Sequence, residues 1–234
     1  MTEPDVEVVD PSAWLQARRR LLTLEGDLNR ARAEVAAARQ AMPVTSVRAD
    51  YRFEGVDGEV TLTDLFEDRT QLITYHYMFD PDWDQGCKHC ALLVDSIGHL
   101  EHLHARDTSL VLVSRAPWEK IAPFRERMGW TVPWYSSFGS DFNYDFHATL
   151  DAAVTPVQYN WMDHDELEAA GDFTHGEASG LSVFARQGEE VVHSYSSYDG
   201  EDALYGTFSW LDLTPLGRRE DGRSWLRHHD RYDD

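Results

Sequence analysis

The chain has 234 residues, a formal net charge of −21 and 42% hydrophobic residues, which is enough for one principal folded domain with an extension. The excess of carboxylates excludes nucleic acid and anionic membranes as preferred partners, because both are bound through lysine and arginine. No apolar run reaches the roughly 20 residues that span a bilayer. The acidic N-terminus lacks the apolar stretch of a secretory signal, so we expect a cytoplasmic protein.

The sequence predicts a helical arm over residues 1–43. Apolar or small residues recur there at alternating steps of three and four, which is a heptad pattern: Trp14, Ala17, Leu21, Leu24, Leu28, Ala31, Val35, Ala38 and Met42. Pro43 ends the pattern because it lacks a backbone donor. We expect this helix to pack on a partner subunit, giving a homo-oligomer, or on its own domain.

Residues 44–215 predict an α/β domain. Its first elements are a β-hairpin within 44–66, a strand over 71–79, a helix over 90–105, a strand over 109–114 and a helix from Pro117 to near Gly129. Strands that alternate with helices favour a parallel sheet with crossover helices.

Near the end of this domain the sequence predicts an antiparallel hairpin over 181–186 and 190–195, then a helix over 201–211. Between the two halves, 148–180 shows little periodicity and is interpreted as an insertion. Residues 216–234 form a charged C-terminal tail. The predicted fold class is therefore α/β, with a central mixed sheet flanked by helices, an N-terminal hairpin and a long N-terminal helix.

The only two cysteines, Cys87 and Cys90, stand in the motif C-K-H-C after a predicted strand and at the start of a predicted helix. Backbone amides at a helix start stabilise a thiolate, so Cys87 is the predicted nucleophile. Cys90, one turn later, is within reach for an intramolecular disulfide. Lys88 and His89, if protonated, would add positive charge beside the thiolate. The alternatives are an inert pair of buried thiols or a pair of metal ligands.

Several motifs in fixed order carry a resemblance. They read Y-H-Y-M-F-D-P-D-W-D-Q-G-C-K-H-C, V-S-R-A-P, R-M-G-W, S-D-F-N-Y-D-F and L-D-L-T-P-L-G-R. From about Leu15 to Arg218 the chain resembles the bacterial thioredoxin-like "domain of unknown function 899" family. The resemblance implies a thioredoxin-like fold related to peroxiredoxins. It does not imply peroxidase activity, because Asp84 stands where a hydroxyl would help to orient peroxide.

The first functional hypothesis is a thiol–disulfide oxidoreductase without a cofactor, acting on a small thiol or a protein disulfide. Thiolate Cys87 attacks, Cys90 resolves the mixed disulfide, and His76 on the preceding strand assists proton transfer. The predicted substrate pocket combines residues near the motif with a later acidic and aromatic loop: Trp83, Lys88, His89, Asp141, Asn143 and Tyr144.

The alternative hypothesis is a copper-binding protein, either a metallochaperone or a copper-dependent thiol oxidase. Its ligands would be Cys87 and Cys90 with His193, and His76 as a further candidate, since thiolates with imidazole suit copper. This reading is similar to the thioredoxin-like Sco copper chaperones, in which two cysteines and a later histidine bind the metal. A non-catalytic interaction module remains a third possibility, but it leaves the placement of the cysteines unexplained.

Overall fold

Strands and helices alternate through the middle of the computed structural model, which describes residues 4–198, 201–219 and 223–232. The α-helices of this part of the chain are α1 Pro11–Gln40, α2 Lys88–Val94, α3 Glu101–His104, α4 Trp118–Arg127, α5 Phe142–Asp145, α6 His164–Ala170 and α7 Gly206–Leu211. Its strands are β1 Thr45–Ser46, β2 Arg52–Gly55, β3 Gly58–Thr61, β4 Gln71–His76, β5 Thr108–Ser114, β6 Trp134–Ser136, β7 Thr149–Leu150, β8 Gln158–Tyr159, β9 Met162–Asp163, β10 Gly176–Glu177, β11 Gly180–Gln187 and β12 Glu190–Ser197.

The large central sheet has eight strands in the order β1-β12-β11-β4-β5-β6-β2-β3. Strands β4, β5 and β6 are parallel, because α2 with α3, and then α4, return the chain to the same edge of the sheet between them. The hairpins β2–β3 and β11–β12 add antiparallel strands on either side. The predicted fold class is thus confirmed: a mixed sheet flanked by helices, with an N-terminal hairpin and a long N-terminal helix.

Strand β4 divides its side chains between two hydrophobic cores, one on each face of the sheet. Tyr75 and Tyr77 pack with α2 and α4 in what we call the cysteine-side core, which contains Cys90. His76 points to the other face and stacks on Phe142 of the far core, with 5.5 Å between ring centroids. This separation follows from the alternation of side chains along a strand.

The helix predicted over 90–105 is interrupted. It forms α2 and the short α3, with turns between them. The hydroxyl of Ser96 donates to the carbonyl oxygen of Leu92 at 2.9 Å and accepts the N–H of Gly206 at 3.0 Å. Serine in a helix competes in this way with the backbone ladder, and here the competition coincides with the end of α2. The apolar residues whose spacing predicted one helix are distributed over α2, α3 and the turns between them.

The segment 148–180 builds a small hydrophobic cluster of its own. Strands β7 and β10 pair with each other, as do β8 and β9, and α6 begins with a capping box between Asp163 and Glu166. The cluster comprises Leu150, Val157, Tyr159, Leu167, Ala178 and Tyr198. Arg115, directly after β5, reaches this segment through an ion pair with Glu177 at 2.7 Å.

Helix α1 projects from the domain. None of its residues is buried, and the guanidinium of Arg39 near its end lies 4.9 Å from the ring centroid of Tyr195 on β12. Across the described ranges, no helix combines the length and apolar character needed to cross a bilayer.

The described part of the C-terminal tail returns to the domain. Leu226 is fully buried in the cysteine-side core, and Trp225 packs against the same core. His228 follows, and its ring contacts Phe124 of α4 edge-on at 5.3 Å. This brings the end of the chain next to the loop that precedes Cys87.

Candidate active site

Cys87 lies where the loop after β4 enters α2, and Lys88 is the first residue of that helix. The N–H of Cys87 donates to the carbonyl oxygen of Met78 at 3.0 Å, so the two ends of the loop are joined. The carbonyl oxygen of Cys87 accepts the N–H of Ala91 at 3.0 Å and closes the first helical turn. The sulfur therefore sits at the start of a helix, as the motif predicts.

The two thiols are free, and each shifts the pKa of the other. They differ in burial: Cys87 is partly exposed, whereas Cys90 is 1% exposed. Cys87 is therefore the member of the pair that presents surface to solvent.

The pKa of the Cys87 thiol is lowered from 9.0 to about 6. The hydrogen bond from the Cys90 side chain is the largest cause, and desolvation opposes it. The backbone amides of Cys90 and His89 and the charge of Lys88 lower the pKa further. Near neutral pH the outer sulfur is therefore a thiolate, the nucleophilic form of cysteine.

The pKa of the Cys90 thiol is raised well above 9.0, first by desolvation and then by the hydrogen bond and charge of Cys87. Opposite shifts of this kind are expected when two titrating groups share one site, because the first charge disfavours the second. The arrangement holds one negative charge on Cys87 and keeps the proton on Cys90.

Two tyrosines support the cysteine pair: Tyr75 lies in β4, and Tyr77 directly follows that strand. The Tyr77 hydroxyl donates to the carbonyl oxygen of Cys87 at 2.8 Å, and Tyr75 packs in the same core as Cys90 and lowers the pKa of its thiol. Burial is the main cause that raises the pKa of Tyr77 well above 10.0, so its hydroxyl remains a donor.

The loop before Cys87 is held at several backbone carbonyls. The ammonium of Lys120 on α4 donates to the carbonyl oxygens of Pro81 and Trp83. Gly86 lies directly against Tyr77: a Cβ atom at this position would be 2.5 Å from Cε1 of that ring. Only glycine allows the backbone to approach the ring so closely.

His228 connects the C-terminal segment to the same loop. Its Nε2 donates to the carbonyl oxygen of Gly86 at 2.9 Å, and its Nδ1 accepts from the Arg127 guanidinium at 3.2 Å. Burial is the largest cause that lowers the pKa of this imidazole, which favours the neutral ring that this pair of hydrogen bonds requires.

The structure does not bring the predicted proton-transfer residue His76 to the thiols. Its ring lies on the opposite face of the sheet, hydrogen-bonded through Nε2 to Ser182 Oγ at 2.9 Å. That hydroxyl bonds to Ser196 Oγ, which in turn contacts His193 Nε2 at 2.8 Å. Desolvation, followed by the charge of His193, lowers the pKa of His76 to about 3.

The copper ligand set fails for the same reason. Cys87 and Cys90 belong to one face of the sheet, whereas His76 and His193 belong to the other, where the His193 ring packs against Phe184. Among the described residues, no group of three or more metal-binding side chains of His, Cys, Asp or Glu comes together. The residues present therefore do not fit a copper site of this composition.

The predicted substrate pocket is divided. Trp83, Lys88 and His89 lie in the loop and at the start of α2, beside Cys87. The other three predicted residues lie around α5, whose Phe142 belongs to the far core: Asp141, Asn143 and Tyr144.

Each of these three has a partner or cavity of its own, away from the thiols. Asp141 pairs with Arg48 at 3.2 Å, and the buried amide oxygen of Asn143 accepts the Ser137 hydroxyl. Tyr144 lines a separate cavity near Arg115. The loop therefore does not cover the cysteines.

Sequence reasoning missed the supporting residues Tyr75, Tyr77, Arg127 and His228. A signal for the tyrosines was present, because both lie on the same face of a strand that leads into the motif. The apolar pair Trp225 and Leu226 inside a charged tail was the available sign that this segment packs on a core.

The mixed sheet, the crossover helices and a dithiol at the opening of α2 define a thioredoxin-like protein. Within that class, the chain belongs to the family described as "Bacterial protein of unknown function (DUF899)", whose model matches residues 3–232. No curated protein matches the chain in the sequence comparison.

Solved structures with a similar chain path include three peroxiredoxins. A cysteine-to-serine mutant of Xanthomonas campestris peroxiredoxin Q has a TM-score of 0.44 at 13% identity, covering 73% of this chain and 97% of its own. A mutant of Xylella fastidiosa PrxQ has a TM-score of 0.45 at 12% identity, covering 72% and 97%. Peroxidoxin BcpB from Mycobacterium tuberculosis has a TM-score of 0.44 at 17% identity, covering 71% and 95%.

Proposed function

We propose that the protein is a thiol–disulfide oxidoreductase with Cys87 and Cys90 as its redox pair. The observation that carries the proposal is the opposite shift of the two thiol pKa values, which leaves a thiolate at about neutral pH beside a protonated partner. Attack on a disulfide requires the thiolate, and the best attacking thiol has a pKa near ambient pH. The partial exposure of Cys87 supplies the approach for a substrate.

The reaction transfers two electrons in two sulfur exchanges. The Cys87 thiolate attacks one sulfur of the substrate disulfide, forming a mixed disulfide while the substrate S–S bond breaks and a thiolate leaves. That leaving thiolate takes the proton of Cys90. The Cys90 thiolate then attacks Cys87, forming the Cys87–Cys90 disulfide and releasing the second substrate group as a thiolate, which takes a proton from water.

The arrangement favours rapid closure of the second step, because the two side chains are close enough to shift each other's pKa. The reaction uses no cofactor, since the sulfur pair itself carries the electrons. We propose a small disulfide or a protein disulfide as substrate and the cytoplasm as the compartment, where a cellular thiol restores the reduced pair.

The test is to trap the mixed disulfide. Reduced Cys90→Ser protein is treated with 2-hydroxyethyl disulfide, and its intact mass is measured. We expect an adduct of one mercaptoethanol on Cys87 that persists, whereas the unsubstituted protein passes to an internal disulfide with a mass two hydrogens lower. Cys87→Ser is the matched control and should form neither species. An unsubstituted protein that forms no internal disulfide would overturn the proposal.

We further propose that α1 docks on a second copy of the chain and makes the protein a homo-oligomer. Its apolar residues Leu21, Leu24 and Leu28 are 48%, 65% and 51% exposed, so a heptad seam lies uncovered. Between residues 11 and 40 there are six arginines and three acidic residues, whereas the whole chain has a net charge of −21. This positive helix is complementary in charge to the acidic body of another copy.

The mass of the full chain in solution, measured by sedimentation, tests the docking of α1. Leu24→Asp with Leu28→Asp should convert an oligomer to a monomer, because charges in a buried seam are unfavourable. Val56→Asp, at an exposed turn outside α1, is the control and should leave the mass unchanged. A monomeric unsubstituted protein would contradict the proposal.

A further inference from the structure

A basic pocket begins at the residues on either side of Cys87. It has a volume of about 570 Å³, and its walls include Gly86 and Lys88, the two neighbours of Cys87 in the sequence. The remaining wall comes from α4 and the C-terminal segment, through Arg127, Arg227 and Arg231. A cavity of this size takes a small molecule rather than a folded chain.

The charge of this pocket is opposite to that of the protein. In the whole sequence, 42 acidic residues outnumber 21 lysines and arginines. The described pocket wall reverses this ratio, since its four cations face one lining carboxylate, Asp84. Asp230 lies behind it and pairs with Arg127 at 3.3 Å and with Arg231 at 3.8 Å.

Two of the cations are not neutralised by this arrangement. Neither Lys88 nor Arg227 forms an ion pair with another residue of the described chain; the Arg227 guanidinium donates to the carbonyl oxygens of Ser224 and Leu226. A guanidinium held by its own backbone in this way is positioned for a carboxylate, which it binds through two parallel hydrogen bonds.

We propose that this pocket binds the carboxylate of a small, anionic disulfide and so places its S–S bond at Cys87. The inference rests on the proposed oxidoreductase function and names the substrate class of that site. Because the pocket begins at the residues on either side of Cys87, the carboxylate must lie on an arm only a few bonds from the sulfur. Small disulfides built from sulfur-containing acids or short peptides have this form, whereas neutral and cationic disulfides lack the group that the pocket recognises.

The test compares three disulfides of similar size and different charge. They are 3,3′-dithiodipropionate, 2-hydroxyethyl disulfide and cystamine, which are dianionic, neutral and dicationic at pH 7. The second-order rate constant of the reduced protein with each is divided by that of free mercaptoethanol, which removes their intrinsic differences in reactivity. We expect the normalised constant to fall from the dianion to the dication by about tenfold or more, and the difference to shrink as salt is added.

Single substitutions then assign the preference to the pocket. Arg227→Gln should lower the ratio of the dianionic to the neutral rate constant about fivefold, since a solvent-accessible charge pair contributes up to about that factor. Arg52→Gln removes an exposed arginine that pairs with Glu59 on the distant hairpin, and should keep the ratio unchanged. Circular dichroism of both variants checks that they are folded.

The outcomes separate the two proposals. A protein that reduces none of the three disulfides contradicts the oxidoreductase function itself. A protein that reduces all three at equal normalised rates keeps that function and overturns the carboxylate pocket. Slow reduction of all three at equal normalised rates, with faster reduction of an acidic protein disulfide, would also overturn it, because the pocket would then serve a macromolecular partner.

Discussion

The Tyr77 hydroxyl donates a hydrogen bond to the backbone carbonyl oxygen of Cys87 at 2.8 Å. Tyr77, directly after strand β4, is thereby joined to Cys87, directly before the first residue of helix α2. This bond fixes the backbone, not the sulfur, so it positions the nucleophile without competing for its negative charge. The tyrosine is a positioning residue for the proposed reaction.

Removing this hydroxyl tests its role. Tyr77→Phe should reduce the free energy of unfolding by about 1 kcal/mol, which is the usual net contribution of one hydrogen bond. It should also slow the alkylation of Cys87 at neutral pH, because the first turn of α2 is less well fixed. Urea unfolding and iodoacetamide kinetics measure the two effects. The control is Tyr135→Phe, since that hydroxyl forms no hydrogen bond with another described residue and its loss should change neither quantity.

Gly86→Ala should disturb the same contact by steric overlap. The new methyl group would lie 2.5 Å from the Tyr77 ring, which is 1% exposed and has no space to move into. We expect a loss of stability of about 1 to 3 kcal/mol, as for other overpacked sites, and a lower rate of disulfide reduction. Gly98→Ala is the matched control, because nothing lies within 4 Å of its Cβ position. Equal stability of the two variants in urea would contradict the close approach.

The Cys87 thiol should titrate with a midpoint near pH 6. The rate of iodoacetamide alkylation as a function of pH measures this midpoint. Cys90→Ala should raise it toward 9.0, because the thiol of Cys90 is the largest cause of the lowered pKa. Cys90→Ser retains a hydroxyl donor and should raise it less. A midpoint that is the same in both variants would show that the backbone amides alone stabilise the thiolate.

The lowered pKa of Cys87 also predicts how the free energy of unfolding changes with pH. Since the folded-state pKa of Cys87 lies below 9.0, this thiol stabilises the fold fully above pH 9, and the contribution is lost as pH falls through about 6. Urea unfolding of unsubstituted and Cys87→Ser protein between pH 5 and 9 should show the difference growing with pH.

His76 should make the protein sensitive to acid. Its pKa of about 3 in the folded state lies below the ordinary value of 6.5, so the unfolded chain binds the proton more tightly. Stability is therefore full above pH 6.5 and is lost as pH falls toward 3, by roughly 5 kcal/mol in total. His76→Gln should flatten the pH dependence of urea unfolding in this window. His102→Gln, an exposed residue of α3, should leave it unchanged; a parallel curve for His76→Gln would contradict the assignment.

The cysteine site was predictable because its information is local. A strand, a loop and a helix start within some twenty residues place Cys87 and Cys90 together without reference to the rest of the chain. The alternation of strands and helices predicted the parallel centre of the sheet in the same way, since crossovers follow a fixed hand.

The orientation of His76 was not predictable from its strand. Strand β4 is buried on both faces, with Leu72 in one core and Tyr75 in the other, so its sequence has no polar side that marks solvent. Alternation separates His76 from Tyr75 and Tyr77, but which of the two faces α2 covers depends on the crossover geometry. The sequence of β4 was therefore equally compatible with His76 on the same face as the cysteines and with His76 on the opposite face.

Contacts between distant parts of the chain were the hardest to foresee. Asp141 and Asn143 follow a strand end, as site residues often do, yet they bond to Arg48 and Ser137 on their own side of the sheet. The charge of the C-terminal tail predicts a solvent-exposed segment, whereas Leu226 within it is buried. The pattern of charged residues and the hydrophobic periodicity predict the type of a secondary-structure element. They do not predict which other part of the chain it packs against.

The docking of His228 on Gly86 has a consequence during synthesis. Residues 226–228 leave the ribosome more than a hundred residues after Cys87, so the nascent chain carries the C-K-H-C motif for most of its translation without the segment that covers the preceding loop. Domains fold as the chain emerges from its N-terminal side. The thiolate consequently acquires its finished surroundings only after residue 228 has been synthesised, and a chain stalled before that point exposes an incompletely formed reactive centre.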